Sequence, residues 1–484
     1  MIKKGTISCL LHLIIIISII ITFGILSITY DENMKEVFKF NGVLEHNVTL
    51  RILENDTAKE QGYLKELLDA FNEKYKEYGI VAVDANMDQY TDLETGGPYG
   101  YGPDVLYQAN DAVMKYVDGK HIMPLPIEEF ECFSYISDNA WNAYEANIDG
   151  QTFTFGIPVN IQQPLLYYRK DLLPSDWRVK WDDNNNDIPD IVENWNDLYK
   201  YSREIVEQSS RTKFGYMKSL NDGYFASGYF LSYGGYVFGG DDRKDVLDIG
   251  FSKGDSYKGA RIIQTLASVM NMECTEDTIT RNAYSRLAQG TYFATMTTPD
   301  VYSLFYKELV NQYIKEGLTP EEAKIKATEN LIVTDVPKLP VSGDLEDDNS
   351  ELKDMTVMGG VNGYAISSYT KAPNAALEFV KFATSYQMIS LRSEILGISP
   401  ARRDIASELG GLNEVIYQNL ESGSIYVMPS VRALGQVWTP LQTFCALIAD
   451  DVLTGKNVYL KEESLIERLK LVDKQIYDAI NTLN

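Results

Sequence analysis

Residues 48–53 alternate apolar and polar side chains with the period of a strand, and the pattern then switches to helical spacing at Tyr63, Leu64, Leu67, Leu68, Phe71 and Tyr75. Between the two, Asn55, Asp56 and Thr57 offer N-cap oxygens; Gly79 supplies a helix stop, and residues 80–83 read as a second strand. A strand, a helix and a strand in that order pack through a right-handed crossover, so this part of the chain is expected to form an α/β lobe. The alternation persists downstream. Residues 104–107, 153–158 and 165–168 are strand candidates, and 195–207, 258–270 and 375–383 carry helical spacing. Ala376, Leu377, Phe379, Val380 and Phe382 make the last of these apolar nearly all round, as suits a helix packed on a sheet. The charged stretch 316–353 reads as an inserted helix, a strand near 331–336 and a solvated loop at 345–350.

At 484 residues the chain exceeds the roughly 250–300 that one hydrophobic core spans, so two lobes are expected. Lys3 and Lys4 precede an almost uninterrupted apolar run over residues 7–28, long enough to cross a bilayer as a helix. The run exceeds a signal-peptide core of about 7–15 residues and no Ala-x-Ala site follows it. Residues 1–30 are therefore expected to be a retained signal anchor, with a cleaved signal peptide as the alternative, the lysines inside and residues 31–45 a polar stalk. The body is then extracellular, held at the cell membrane. Cys9 precedes most of the run and is not placed as a lipid site, while Cys132, Cys274 and Cys445 are too few and too scattered for a disulfide framework and are read as buried thiols.

The net charge of -25 excludes nucleic acid as a partner, because such binding rests on Lys and Arg neutralising phosphates. The three histidines, His12, His46 and His121, leave a Ser-His-Asp or Cys-His device nothing to be built from. No G-x-x-x-x-G-K-[ST] phosphate loop occurs, so ATP hydrolysis would belong to another subunit.

Several short motifs occur in order. Tyr101-Gly102-Pro103-Asp104-Val105-Leu106-Tyr107 comes first, then Phe155-Gly156-Ile157-Pro158 and Leu166-Tyr167-Tyr168-Arg169-Lys170-Asp171-Leu172-Leu173-Pro174, then Trp195-Asn196-Asp197-Leu198. Gly359-Gly360-Val361-Asn362-Gly363-Tyr364-Ala365-Ile366 and Gly397-Ile398-Ser399-Pro400-Ala401-Arg402 follow. Their order, spacing and apolar context resemble the extracellular solute-binding proteins of bacterial ABC importers, the family that includes the maltose and maltodextrin receptors, over nearly the whole body. The resemblance implies an α/β two-lobed periplasmic-binding-protein-like fold of type II, with discontinuous lobes joined by a hinge and a ligand between them. The first lobe would comprise 46–158 and 357–411, the second 163–352 and 412–484. It also implies a monomer that presents a carbohydrate to membrane permease subunits, hinge closure being what the permease detects.

Sugar recognition takes flat apolar faces for pyranose C–H surfaces and planar polar groups for hydroxyls. With 33 tyrosines, composition cannot select among them, and the resemblance does the selecting. Trp438, which follows Met428 and Pro429, stands at the family's stacking tryptophan, and Tyr224, after Asn221-Asp222-Gly223, at a second stacking position. Asn55 and Asp56 should face the cleft at the start of the first helix, although Asp56 serves equally as an N-cap. Gln108 and Asp111 stand where maltodextrin receptors carry a tryptophan and an aspartate. Gln162 replaces a carboxylate, and Asp300 replaces a stacking aromatic, with Tyr302 near it. These departures set maltodextrin itself in question and keep a saccharide as the expected ligand. The alternatives are a glycoside hydrolase, which would also stack sugars and would use paired carboxylates, and a binding protein for a peptide or polyamine.

Residues 182–193 carry oxygen donors at the spacing of an EF-hand loop, predicting a structural calcium ion. Its ligands would be Asp182, Asn184, Asn186, the Ile188 carbonyl, Asp190 and a bidentate Glu193. Asp187 replaces the usual glycine, a position at which aspartate tolerates left-handed backbone better than most residues.

Overall fold

The structure, a computed structural model, describes residues 40–240 and 243–482. The expected signal anchor at 1–30 and most of the stalk lie outside the described residues. Among the described residues no helix is long and apolar enough to cross a membrane.

Two sheets divide the chain. In the first, Thr49–Leu53 runs parallel to Val81–Asp84 on one side and to Val105–Ala109 on the other, as the strand, helix, strand opening requires. The long strand Val357–Ile366 lies antiparallel to Val105–Ala109 and pairs as well with Ile157–Gln162. In the second sheet, Leu165–Arg169 sits between antiparallel Tyr292–Thr297 and Leu331–Thr334, with Phe214–Tyr216 parallel at the edge. Ile157–Gln162 and Leu165–Arg169 are nearly continuous, so one extended segment carries the chain from sheet to sheet. Side chains crowd this crossing: a Cβ on Gly363 would meet the Ile157 carbonyl oxygen at 2.3 Å, which only glycine avoids.

The first core forms as the periodicity predicts. Leu50 and Ile52 are buried against Tyr63, Leu67 and Phe71 of the helix Tyr63–Lys74. Phe71 meets Phe379 edge-on at 5.0 Å, which fixes the apolar helix Pro373–Ala383 on the same face. Three local expectations change. Gly62, at φ 89°, breaks the first helix into Asp56–Glu60 and Tyr63–Lys74. Tyr75 ends that helix, while Gly79 closes the short 3-10 turn Lys76–Tyr78. The strand expected at 153–158 is two strands, Gln151–Thr154 and Ile157–Gln162. The boundary expected at 412 also moves. The helix Gly411–Ser422 stays with the first lobe, where Asn139 donates to the Leu420 carbonyl at 2.9 Å. Ile425–Val427 then extends the first sheet through Val357–Gly359.

Cys132, Cys274 and Cys445 are buried free thiols, and burial pushes the Cys132 thiol up to about 11.

Candidate ligand-binding cleft

The sheets converge on a pocket lined from the first lobe and hinge by Asn55, Thr57, Tyr107, Asn160, Gln162 and Asn362, and from the second lobe by Pro299 and Asp300. Gln162 ties its walls together: its amide donates to Asp300 Oδ1 at 3.1 Å and its carbonyl accepts from Asn362 Nδ2 at 3.3 Å. Beneath the pocket lies a fully buried ion pair. Arg392 Nη1 donates to Glu54 Oε1 at 2.7 Å, both side chains being 0% exposed, and Tyr364 also donates to Glu54. Burial opposes the Arg392 charge, but the Glu54 carboxylate together with Tyr107, Tyr364 and Tyr63 outweighs it and holds the guanidinium ionised. The pair reaches the pocket surface through Asn160 Oδ1, which accepts from Arg392 Nε and from the Tyr107 hydroxyl, each at 2.9 Å. It also reaches it through the Asn55 N–H, which donates to Glu54 Oε2 at 3.0 Å.

The aromatic wall belongs to the second lobe. Trp438, half-buried, opens the helix Trp438–Leu453, and a Cβ on Gly223 would come within 3.2 Å of its ring. The missing side chain at Gly223 is thus what lets the indole rest on the start of the helix Gly223–Leu231. Tyr224 is the next residue. Burial pushes its phenol far above the ordinary value, and the carboxylates of Asp300, Asp111 and Asp222 add to the shift. Trp438 and Tyr224 are thus brought to the same helix start, Trp438 beside Gly223 and Tyr224 directly after it, with Tyr224 edge-on to Phe225 at 5.1 Å. Burial likewise raises the Asp111 carboxyl.

The other expected residues fall differently. Asn55, not Asp56, is the N-cap, its Oδ1 accepting from the Ala58 N–H at 2.8 Å; Asp56 is exposed beside Lys59. Gln108 donates to the Gln89 carbonyl at 2.8 Å and leaves its Oε1 buried without a partner. Tyr302 stacks on Tyr306 with ring centroids 6.1 Å apart, so its face is already occupied. Sequence reasoning missed Tyr107, Asn160, Asn362 and the Glu54–Arg392 pair. A glutamate and an arginine set among apolar residues, at the end of a strand and within a helix, were the available signals.

Further contacts cross between lobes: Arg432 pairs with Glu94 at the surface, Lys244 Nζ donates to the Glu145 carbonyl at 2.7 Å, and Asn419 Nδ2 donates to Asp335 Oδ2 at 2.8 Å.

The 182–193 loop partly fits a cation. Asp182 Oδ1 and Asn184 Oδ1 both accept from the Asn186 N–H at 3.0 Å, and the Asn184 and Asn186 amides reach the two Glu193 oxygens at 3.1 and 2.8 Å. Asp187 adopts the left-handed backbone of the missing glycine, at φ 62°. Asp190 accepts from the Asp183 N–H through Oδ2 at 2.8 Å, as Asp182, Asn184 and Asn186 accept from backbone N–H groups of the loop. Among the described residues no cluster of three or more His, Cys, Asp or Glu is arranged to hold a metal.

Residues 55–388 match the family described as bacterial extracellular solute-binding protein. A galactooligosaccharide-binding protein of Bacillus subtilis (strain 168) is 24% identical over 411 residues, 83% of this chain and 84% of that one. A maltodextrin-binding protein, MdxE, of the same organism is 22% identical over 435 residues, 88% of this chain and 91% of that one. Among solved structures, the maltose-binding periplasmic protein MalE from Listeria monocytogenes, in complex with maltose, superposes with a TM-score of 0.67. It is 19% identical and covers 90% of this chain and 98% of its own.

Proposed function

Because the chain belongs to the bacterial extracellular solute-binding proteins, we propose that it is a sugar receptor of an ABC importer, which holds an oligosaccharide between its lobes and presents it to a membrane permease on closure. The observation that carries this reading is the pocket between the sheets, where Gln162, Asn362 and Asp300 bring polar groups of both lobes together. Trp438 and Tyr224 would supply the flat surfaces a pyranose needs, and Asp111, Asp300, Gln162 and Asn362 the hydroxyl partners. The body is held at the outer face of the membrane by residues 1–30. Polar groups at 108, 162 and 300, where maltodextrin receptors are expected to carry an aromatic or a carboxylate, favour a saccharide other than a maltodextrin. The galactooligosaccharide-binding relative is consistent with that preference.

Calorimetry of the purified protein against maltodextrins and galactooligosaccharides tests the assignment. One saccharide series is expected to bind stoichiometrically, with no new reducing ends on prolonged incubation. Release of reducing ends would turn the reading to a glycoside hydrolase. Absence of saccharide binding, with a thermal shift from a peptide or polyamine, would turn it to a non-sugar receptor.

The 182–193 loop acts as a structural calcium site in the same proposal, with Asp182, Asn184, Asn186, the Ile188 carbonyl, Asp190 and Glu193 as the residues that would hold the ion. An ion bound only by the folded state stabilises it by about 2.7 kcal/mol at a hundredfold excess over Kd. Calcium should therefore raise the melting temperature of the wild type and leave that of Glu193→Gln unmoved. A wild-type melting temperature that is the same in calcium and in chelator removes the site.

A further inference from the structure

A second cavity, of about 200 Å³, lies inside the second lobe. It adjoins the cleft, since Thr298 and Val301 line it while the intervening Pro299 and Asp300 line the inter-lobe pocket. Phe225, directly after Tyr224, forms part of its wall. Into this space projects a lysine that the receptor reading leaves unused. Lys218 is 5% exposed, and its ammonium sits 3.3 Å from the centroid of the Phe225 ring. The Asp222 carboxylate is 3.9 Å away, too far for a hydrogen bond, and no acceptor within bonding distance of the ammonium occurs among the described residues. A second donor in the same wall is idle too: Thr280 Oγ1 is buried without a partner. The Lys218 ammonium faces the same cavity with no oxygen within bonding distance among the described residues, so both donors are open to oxygens that enter it. Burial drives the Lys218 ammonium down to about 8, the Asp222 carboxylate holding it up, which fits a cation awaiting a closer partner.

We propose that this cavity is a side subsite for one uncharged unit of a bound oligosaccharide, whose oxygens accept from the Lys218 ammonium and the Thr280 hydroxyl while a C–H face lies against Tyr284. The inference rests on the carbohydrate reading above. The occupant is uncharged because Asp222 already offsets the lysine, and because Asp300 nearby and a net charge of -25 oppose an anion.

The test uses full-length wild type, Lys218→Met, Lys218→Arg and Thr280→Val, with calorimetry against a neutral galactotetraose, maltotetraose and a galacturonate tetramer, and a melting curve without sugar. Lys218→Met is expected to weaken the neutral sugar that binds wild type by about tenfold or more, as losing a charge-assisted hydrogen bond does. Its sugar-free melting temperature should move little, because methionine fills the space and Asp222, 28% exposed, keeps water to solvate it. Thr280→Val should weaken binding less, and Lys218→Arg should recover part of the loss. Unchanged affinity in Lys218→Met, with or without a lower melting temperature, overturns the subsite, leaves the receptor reading intact and makes Lys218 a counter-charge for Asp222. A Lys218-dependent preference for the galacturonate overturns the uncharged class. If none of the three sugars binds wild type, the receptor reading falls, and the subsite with it.

Discussion

Arg392→Met is expected to destabilise the protein by about 3–5 kcal/mol, read as a lower urea midpoint at unchanged slope. The size follows from burial. Arg392 and Glu54 are both 0% exposed, and removing one leaves the other charged with no water to solvate it. Tyr364 offsets only part of the cost, since its hydroxyl still donates to the stranded carboxylate, and burial together with Glu54 pushes its phenol well above the ordinary value. The double variant Glu54→Leu/Arg392→Met should recover most of the loss, because exchanging a whole buried pair for apolar groups is often neutral or stabilising. Ligand affinity should not return with it. Asn160 and the Asn55 N–H take their positions from the pair, so the double variant folds with pocket-lining groups unfixed. A loss under about 1 kcal/mol in Arg392→Met would mean that water reaches the guanidinium and that the pair is not the anchor described.

That anchor also marks the limit of what the sequence discloses. Periodicity identified the first-lobe core because Leu50, Ile52, Leu67 and Phe71 answer to short-range patterns, each element carrying its own repeat. Glu54 and Arg392 lie 338 positions apart, and Gln162 and Asp300 lie 138 apart. Nothing local distinguishes them from solvated charges until the chain has folded. The shift from Asp56 to Asn55 at the first N-cap is of another kind: both residues cap well, and only the path of the backbone out of Thr49–Leu53 decides which one faces the free N–H groups. Gly62 shows the same limit in reverse. Helical spacing continues across it, yet its left-handed φ splits the helix, a choice that periodicity does not register. The pairing of Trp438 with Tyr224 came from likeness to a family; its physical basis, the room made by Gly223, is visible only in three dimensions.

Trp438→Ala should weaken saccharide binding by about thirtyfold or more, the loss of roughly 2 kcal/mol typical of a central tryptophan contact. The loss falls more on binding than on folding, because the indole at the start of its helix is only half-buried in the sugar-free protein. Trp195→Ala makes the contrast: that ring is fully buried against Tyr216 and Tyr229, at 5.0 and 5.6 Å, and its removal should lower the melting temperature steeply. Gly223→Ala gives a finer test of the indole. Its methyl would sit 3.2 Å from the indole, tight enough to push the ring aside without unfolding the helix, so affinity should fall while the melting temperature moves little. If Trp438 and Tyr224 grip the same sugar, their alanine substitutions will not add, since two groups sharing one contact couple in a double-mutant cycle. Wild-type affinity in Trp438→Ala would remove the indole from the site and leave the polar pocket around Gln162 and Asp300 as the place where ligand is held.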